Sequence, residues 1–230
     1  MSRRPLFGKA MTDAERQRRR RDRIQKVLHG KKIRAATQEA NRKIKIEKLV
    51  EISQGNTELN NIGKTHYPVV YADPPWKYVA DSNLKRGPRN HYPTMSTEKI
   101  MALPVKDIVT KDAVLFMWCP NAMFEAALKV IKAWGFRYVS QMVWVKDKIG
   151  LGVFFRTKHE TLIFAMKGRV PAPPPKDRPP SVLFAPRRKH SQKPDEVYEM
   201  IEKMYPELPK IELFARNAAL GWDAWGNQVT

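Results

Sequence analysis

A single cysteine, Cys119, stands among the 230 residues, which excludes an intrachain disulfide framework and a cysteine-based zinc site. Its place after the apolar run Ala113-Val-Leu-Phe-Met-Trp118 predicts a buried, inert thiol. No apolar stretch approaches the roughly 18 residues of a membrane span, and Met1-Ser-Arg-Arg4 lacks the apolar centre of a secretory signal. A soluble, intracellular chain with no membrane contact is the expectation. Gly150-Leu-Gly152 lacks the third glycine and the following helix of a phosphate loop. His159 and His190 have no second ligand at helical spacing, so no metal site is expected. No internal repeat is present. Acidic residues are scarce as well: 23 Asp and Glu face 43 Lys and Arg, a formal charge of +20.

That charge is unevenly placed. Residues 1–48 hold 17 basic and 5 acidic residues, net +12, and leave +8 for all the rest. A concentrated basic arm beside a milder domain is the electrostatic footprint of a nucleic-acid binder. Thr12-Asp-Ala-Glu15 matches a capping box, which predicts a helix from about Asp13 to Leu28, ended by Gly30. A second helix is expected over Arg34–Ile52. Its Ile44, Ile46, Leu49, Val50 and Ile52 would dock on the core. Gly55–Gly63 reads as a polar linker, which divides the chain into a basic extension, residues 1–63, and a domain, residues 64–230.

With 42% hydrophobic residues in the chain, the second part has enough material for a core. Tyr67–Ala72 and Ala113–Trp118 read as buried strands, Phe136–Val145 and Thr161–Met166 as further strands, and Lys210–Phe214 as the last buried strand. Ser96 caps a short helix to Leu103. Pro120 opens a helix ended by Gly135, with Leu128, Ile131 and Trp134 on its apolar face, and Pro194–Tyr205 is a third. Pro171–Pro180 is expected to be a flexible or polyproline II loop. Strands alternating with helices argue an α/β fold, a parallel-rich sheet with helices on both faces. Trp118, Trp134 and Trp144 are core. Trp222 and Trp225 either flank a pocket or close the core.

Asp73-Pro-Pro-Trp76 follows the first strand, where ligands of α/β sheets bind. The two prolines fix their own φ and bias the residues before them towards extended geometry, so the loop is stiff. An acid, carbonyls with no helical partner and an indole suit a planar base bearing an amino group. Glu212, inside an apolar strand, reads as a buried hydrogen-bonding partner.

Asp73-Pro-Pro-Trp76, His91-Tyr-Pro-Thr-Met-Ser96, Ser191-Gln-Lys-Pro-Asp-Glu196, Lys210-Ile-Glu-Leu-Phe-Ala-Arg216 and Gly226-Asn-Gln228 occur in that order. The series resembles the MT-A-seventy family of S-adenosylmethionine-dependent N6-adenine methyltransferases over residues 67–228. The resemblance implies a Rossmann-like methyltransferase sheet and S-adenosyl-L-methionine as cofactor. It implies that Asp73, Pro74, Pro75 and Trp76 grip the target adenine and that Lys193 lies between methyl donor and acceptor. Asp73, Pro74, Lys193, Glu212, Phe214, Arg216, Asn217, Asn227 and Gln228 would border the cofactor. Glu160 and Tyr92 would lie near the base, with Trp76 stacked on it. Lys85, Arg86 and Arg89 would hold the surrounding phosphates. Family members often carry a glycine where this chain has Phe214-Ala-Arg216, which is expected to alter the backbone's approach to the cofactor. The intact clamp, Lys193 and the basic arm favour DNA as the acceptor, held through the arm and the loop at 77–93. RNA and a catalytically silent partner-subunit role are the alternatives, and homodimer and heterodimer stay open.

Overall fold

The computed structural model describes residues 12–57, 66–77, 94–150, 152, 154–188 and 192–226. Two compact units divide the chain after Ile44. The first element is one continuous helix, α1 (Asp13–Thr57), rather than two. Its start is the predicted capping box: the Glu15 N–H donates to Thr12 Oγ1 at 3.3 Å, and the Thr12 N–H donates to Glu15 Oε2 at 2.8 Å. Gly30 does not end the helix. A mid-helix glycine costs only about 1 kcal/mol relative to alanine, and the good helix formers around it carry the helix through. Gly55 is likewise helical rather than linker, and the rest of that predicted linker falls largely outside the described residues. Arg18-Arg-Arg-Arg21 advances about 100° per residue, so cations surround the helix. Ile24, Val27, Leu28, Ile33 and Ile44 are exposed. The side chains of Ile46, Leu49, Val50 and Ile52 lie outside those described.

The remainder is organised on a seven-stranded sheet of order β5-β3-β4-β2-β1-β6-β7. The strands are β1 (Tyr67–Ala72), β2 (Val109–Cys119), β3 (Arg137–Val145), β4 (His159–Lys167), β5 (Val182–Phe184), β6 (Lys210–Leu213) and β7 (Asp223–Trp225). β1 lies parallel to both β2 and β6, with Ala72 opposite Met117 on one side and Leu213 on the other. β4 runs antiparallel to β2 and β3, while β5 and β7 extend the two edges in parallel. Neither edge strand was anticipated. The Pro171–Pro180 stretch contains a 3-10 turn at Pro175–Asp177 instead of being uniformly extended or loose.

Strand side chains alternate between faces, and the core divides accordingly. Val70, Ala72, Leu115, Met117, Ile163 and Ala165 pack under α2 (Thr97–Met101) and α3 (Phe124–Ala133). Val69, Tyr71, Val114, Phe116, Trp118 and Leu162 pack under α4 (Glu196–Met204). Helices therefore cover both faces, as the alternation predicted. Ser96 caps α2 by accepting from the Lys99 N–H, and Gly135 follows α3 at a φ of 82°. The buried indoles bolt the layers together: Trp134 Nε1 donates to the Ile100 carbonyl at 2.9 Å and Trp144 Nε1 to the Ala185 carbonyl at 2.8 Å.

β1 is the point where the chain's progress across the sheet reverses, running first to β2 and later to β6. In open α/β sheets that crevice, beyond the carboxyl ends of the strands, is where ligands bind. Residues 73–76 leave β1 there, and Phe214–Arg216 leave β6 beside them.

Candidate active site

Asp73-Pro-Pro-Trp76 is held by its backbone. The Trp76 N–H donates to the Pro74 carbonyl at 2.8 Å, the Met95 N–H to the Pro75 carbonyl at 2.7 Å, and the Lys77 N–H to the Met95 carbonyl at 3.1 Å. The proline carbonyls have no helical partners, as expected, and accept instead from loop N–H groups. Each carbonyl keeps a second lone pair, so Pro74 can still accept another donor. Trp76 departs from expectation. Instead of presenting a flat stacking face it is 3% exposed in the core, with Nε1 donating to the Trp118 carbonyl at 3.1 Å. The indole belongs to the buried core cluster, and its hydrogen bond ties the loop to β2.

The charged groups at the mouth form a chain of ion pairs. Lys193 Nζ donates to Asp73 Oδ2 at 2.8 Å and stands 3.5 Å from Glu160 Oε2. Lys146 Nζ stands 2.5 Å from Glu160 Oε1. Lys193 is 13% exposed at its side chain and lies over the Trp118 ring at 5.6 Å, so it is no solvent-facing lysine. Burial raises the Asp73 carboxyl above its ordinary range, although Lys193 opposes the shift. Burial also pushes Glu160 upwards, but the attraction of Lys193 and Lys146 outweighs it and the net shift is down. Burial prevails at Asp73, where Lys193 and Arg216 offset only part of it, whereas Lys193 and Lys146 together overcome it at Glu160, so Asp73 is the readier proton acceptor.

Beside this chain lies a cavity of about 370 Å³ lined by Asp73, Lys193, Glu212, Phe214, Arg216 and Asn217, among others. Glu212 is 6% exposed and accepts from the Tyr198 hydroxyl at 2.8 Å. Burial pushes its carboxyl up to about 7, and the nearby Asp73 charge adds to the rise. Tyr71 also lines the wall, its hydroxyl accepting from Trp118 Nε1 at 2.6 Å. Phe214 has a φ of 65°, the left-handed region that costs a non-glycine residue roughly 1–2 kcal/mol. The chain absorbs that strain where β6 turns into the cavity wall. The Ala215 N–H donates to the Trp225 carbonyl at 3.0 Å. A Cβ on Gly226 would stand 2.2 Å from the Ala215 oxygen, so only glycine permits this approach.

The fold thus brings together Asp73, Lys193, Glu160, Glu212, Phe214, Arg216 and Asn217. Lys85, Arg86, Arg89, Tyr92, Asn227 and Gln228 fall outside the described residues, as does His190. Sequence reasoning missed Lys146, Tyr71 and Tyr198. The signal for Lys146 was available, since it is the first residue beyond the carboxyl end of β3. Trp222 is buried and its Nε1 donates to Glu202 Oε1 at 2.6 Å, whereas Trp225 is half-exposed against Phe214. Cys119 is buried, and burial pushes its thiol up to about 12. His159 Nε2 lies 2.9 Å from Asn121 Nδ2. Among the described residues no group of three or more His, Cys, Asp or Glu is placed to hold a metal, and no helix is long and apolar enough to cross a membrane.

A mostly parallel sheet covered on both faces, with an acidic loop and a polar cavity at its reversal point, is a Rossmann-like methyltransferase fold. The family model described as MT-A70 matches residues 67–228, and this chain belongs to that family of methyltransferases. The type II methyltransferase M.MunI of Mycoplasma sp is 32% identical over 199 residues, which cover 76% of this chain and 85% of that protein. The N(6)-adenosine-methyltransferase MT-A70-like protein of Arabidopsis thaliana is 32% identical over 71% of this chain and 24% of its own length. The human N(6)-adenosine-methyltransferase catalytic subunit METTL3 is 31% identical over 75% of this chain and 29% of its own. The chain thus matches most of the first relative and under a third of the other two.

Proposed function

We propose that the protein is an S-adenosylmethionine-dependent methyltransferase acting on the N6 amino group of adenine in DNA. The observation that carries this reading is the Asp73 carboxylate, held by Lys193 at the carboxyl end of β1 and opening on the cavity. The cavity suits the cofactor: its size falls in the small-molecule range, and its wall offers carboxylates, an amide and a guanidinium as hydrogen-bonding partners. When bound there, S-adenosylmethionine supplies an electrophilic methyl on a positively charged sulfur. Glu212 and Asn217 would hold its hydroxyl and amino groups, with Arg216 at its edge and Asn227 and Gln228 completing the set.

The adenine amine is a weak nucleophile because its lone pair is delocalised into the ring. Asp73 and the Pro74 carbonyl accept its two N–H groups, favour pyramidal nitrogen and orient the lone pair. The ionised acceptor makes the stronger bond. Lys193 holds Asp73 in place, and Lys146 with Glu160 holds Lys193. Positioning supplies most of the acceleration. The proton released from the methylated nitrogen passes to Asp73 or to water. Asp73 is suited to receive it because burial raises its affinity for protons, while two lysines keep Glu160 ionised.

DNA is favoured because the match spans most of a type II methyltransferase. RNA is the second reading, favoured by the likeness to proteins named as N(6)-adenosine-methyltransferases. Purified protein, labelled cofactor and matched DNA and RNA strands decide between them. Transfer to DNA adenine is the expected result, and transfer to RNA alone, or to neither, overturns the reading.

The basic extension, residues 1–63, is assigned to phosphate binding ahead of the methyltransferase domain, residues 64–230. Removing residues 1–30 deletes 10 of the 43 basic residues. DNA affinity should fall, and its logarithmic salt dependence should flatten by about 0.9 for each phosphate the arm no longer neutralises. Cofactor affinity by calorimetry should stay unchanged. An unaltered salt slope removes the arm from the DNA interface.

A further inference from the structure

Phe154 and Phe155 sit on the loop between β3 and β4, and 93% and 90% of their surfaces are exposed. Two adjacent phenyl rings left in water forgo the burial that phenylalanine normally supplies. The loop is not slack beneath them. The Lys146 N–H donates to the Lys158 carbonyl at 2.8 Å, the Gly150 N–H to the Thr157 carbonyl at 2.6 Å, and Arg156 Nε to the Gly150 carbonyl at 3.3 Å. A Cβ on Gly152 would stand 1.9 Å from the Phe155 oxygen, so glycine is required for the loop to close this tightly. The base of the loop is also tied to the candidate active site, because Lys146 pairs with Glu160, Glu160 with Lys193, and Lys193 with Asp73.

Charge decides what the rings meet. Lys148, Arg156 and Lys158 of the same loop are exposed, and the one acid of the loop, Asp147, accepts from the Arg187 N–H at 2.9 Å. A protein partner's apolar surface would have to desolvate these loop cations, and lysine is depleted at such interfaces. A nucleic-acid strand needs no such sacrifice: its phosphates pair with the cations while its bases stack on the rings.

We propose that Phe154 and Phe155 are a stacking wedge for the bases next to the target adenine, with Lys148, Arg156 and Lys158 on the neighbouring phosphates. In a duplex the rings fill the gap left when the target base swings out and support the bases that lose their stack. The inference rests on the nucleic-acid substrate proposed above and adds the surface that holds the strand beside the target.

The test compares the full-length protein with F154A/F155A and F154W/F155W, using fluorescein-labelled single-stranded DNA of mixed, adenine-containing sequence. Anisotropy gives DNA affinity, calorimetry gives cofactor affinity and sedimentation gives oligomeric state. The alanine pair should weaken DNA binding by about tenfold to a hundredfold. The tryptophan pair should retain it, and cofactor affinity should not move in either. If the wild type methylates DNA and the alanine pair binds that DNA equally well, the wedge is overturned and the proposed function stands. If the wild type neither binds nor methylates DNA or RNA, both are overturned. A change of oligomeric state in the alanine pair with unchanged DNA affinity overturns the wedge and places the rings between subunits.

Discussion

Asp73→Ala is expected to reduce methyl transfer by about a thousandfold or more, while the melting temperature stays within about 4 °C of the wild type. The two halves of this expectation have separate causes. In the proposed reaction the carboxylate is the charged acceptor for the reacting amine, so its removal would lose both orientation and electron push. Its contribution to the fold is small. Burying it is costly, as the raised affinity for protons records, and the pairing with Lys193 offsets only part of that cost. Lys193 would not be stranded either, because Glu160 remains 3.5 Å away. Asp73→Asn should fall between, with a loss of about tenfold to a hundredfold, since the amide oxygen still accepts but carries no charge. Single-turnover transfer from labelled cofactor, with thermal unfolding of each variant, provides the measurement. Transfer at the wild-type rate by Asp73→Ala, in a protein that still melts normally, would remove this carboxylate from the chemistry.

The legible part of this molecule is the part set by periodicity and burial. Tyr67–Ala72 reads as a strand because both of its faces are covered, and helices on both faces follow from the apolar runs alternating with helical patterns. The capping residues Thr12 and Ser96 are recoverable from local chemistry alone, because each satisfies N–H groups within four positions. What stayed hidden depends on competition or distance. Gly30 looked like a stop, but one glycine's conformational cost is smaller than that of breaking a helix flanked by Ala, Lys, Arg and Gln. The three-residue strands β5 and β7 carry no pattern of their own. They are strands because β3 and β6 present open edges to them. The Asp73–Lys193 pair joins residues 120 positions apart, and no local rule connects them. Only the family resemblance put both in one site, and it did not reveal Lys146. The orientation of Trp76 was beyond the sequence too, because its partner is the main-chain carbonyl of Trp118 on the adjacent strand.

Glu212→Gln is expected to stabilise the protein in mildly alkaline solution while weakening its hold on the cofactor. In the folded chain burial lifts the Glu212 carboxyl to about 7 from an ordinary value of 4.5, with the Tyr198 hydrogen bond opposing the rise. Between those two values the folded protein keeps a proton that the unfolded chain has released. The contribution of this group to stability is therefore fully present below the ordinary value and is lost as pH rises through about 7. One pH unit of such a difference corresponds to about 1.4 kcal/mol, so the wild type should lose roughly 3 kcal/mol from this group across the window. Asp73, also raised by burial, tilts the profile in the same direction from its own ordinary value upwards. Glutamine has no proton to lose, and its amide oxygen can take over the bond from the Tyr198 hydroxyl. The variant should match the wild type near pH 5 and exceed it by about 1–3 kcal/mol near pH 8, measured by urea unfolding at both. Parallel pH profiles in the two proteins would refute the assignment of the slope to Glu212. Glu212 faces the cavity, and the proposed function gives it a binding role that would offset its cost to the fold at neutral pH. Calorimetry on the same variant should accordingly show reduced affinity for S-adenosylmethionine, so that the stability gained and the binding lost trace to one side chain.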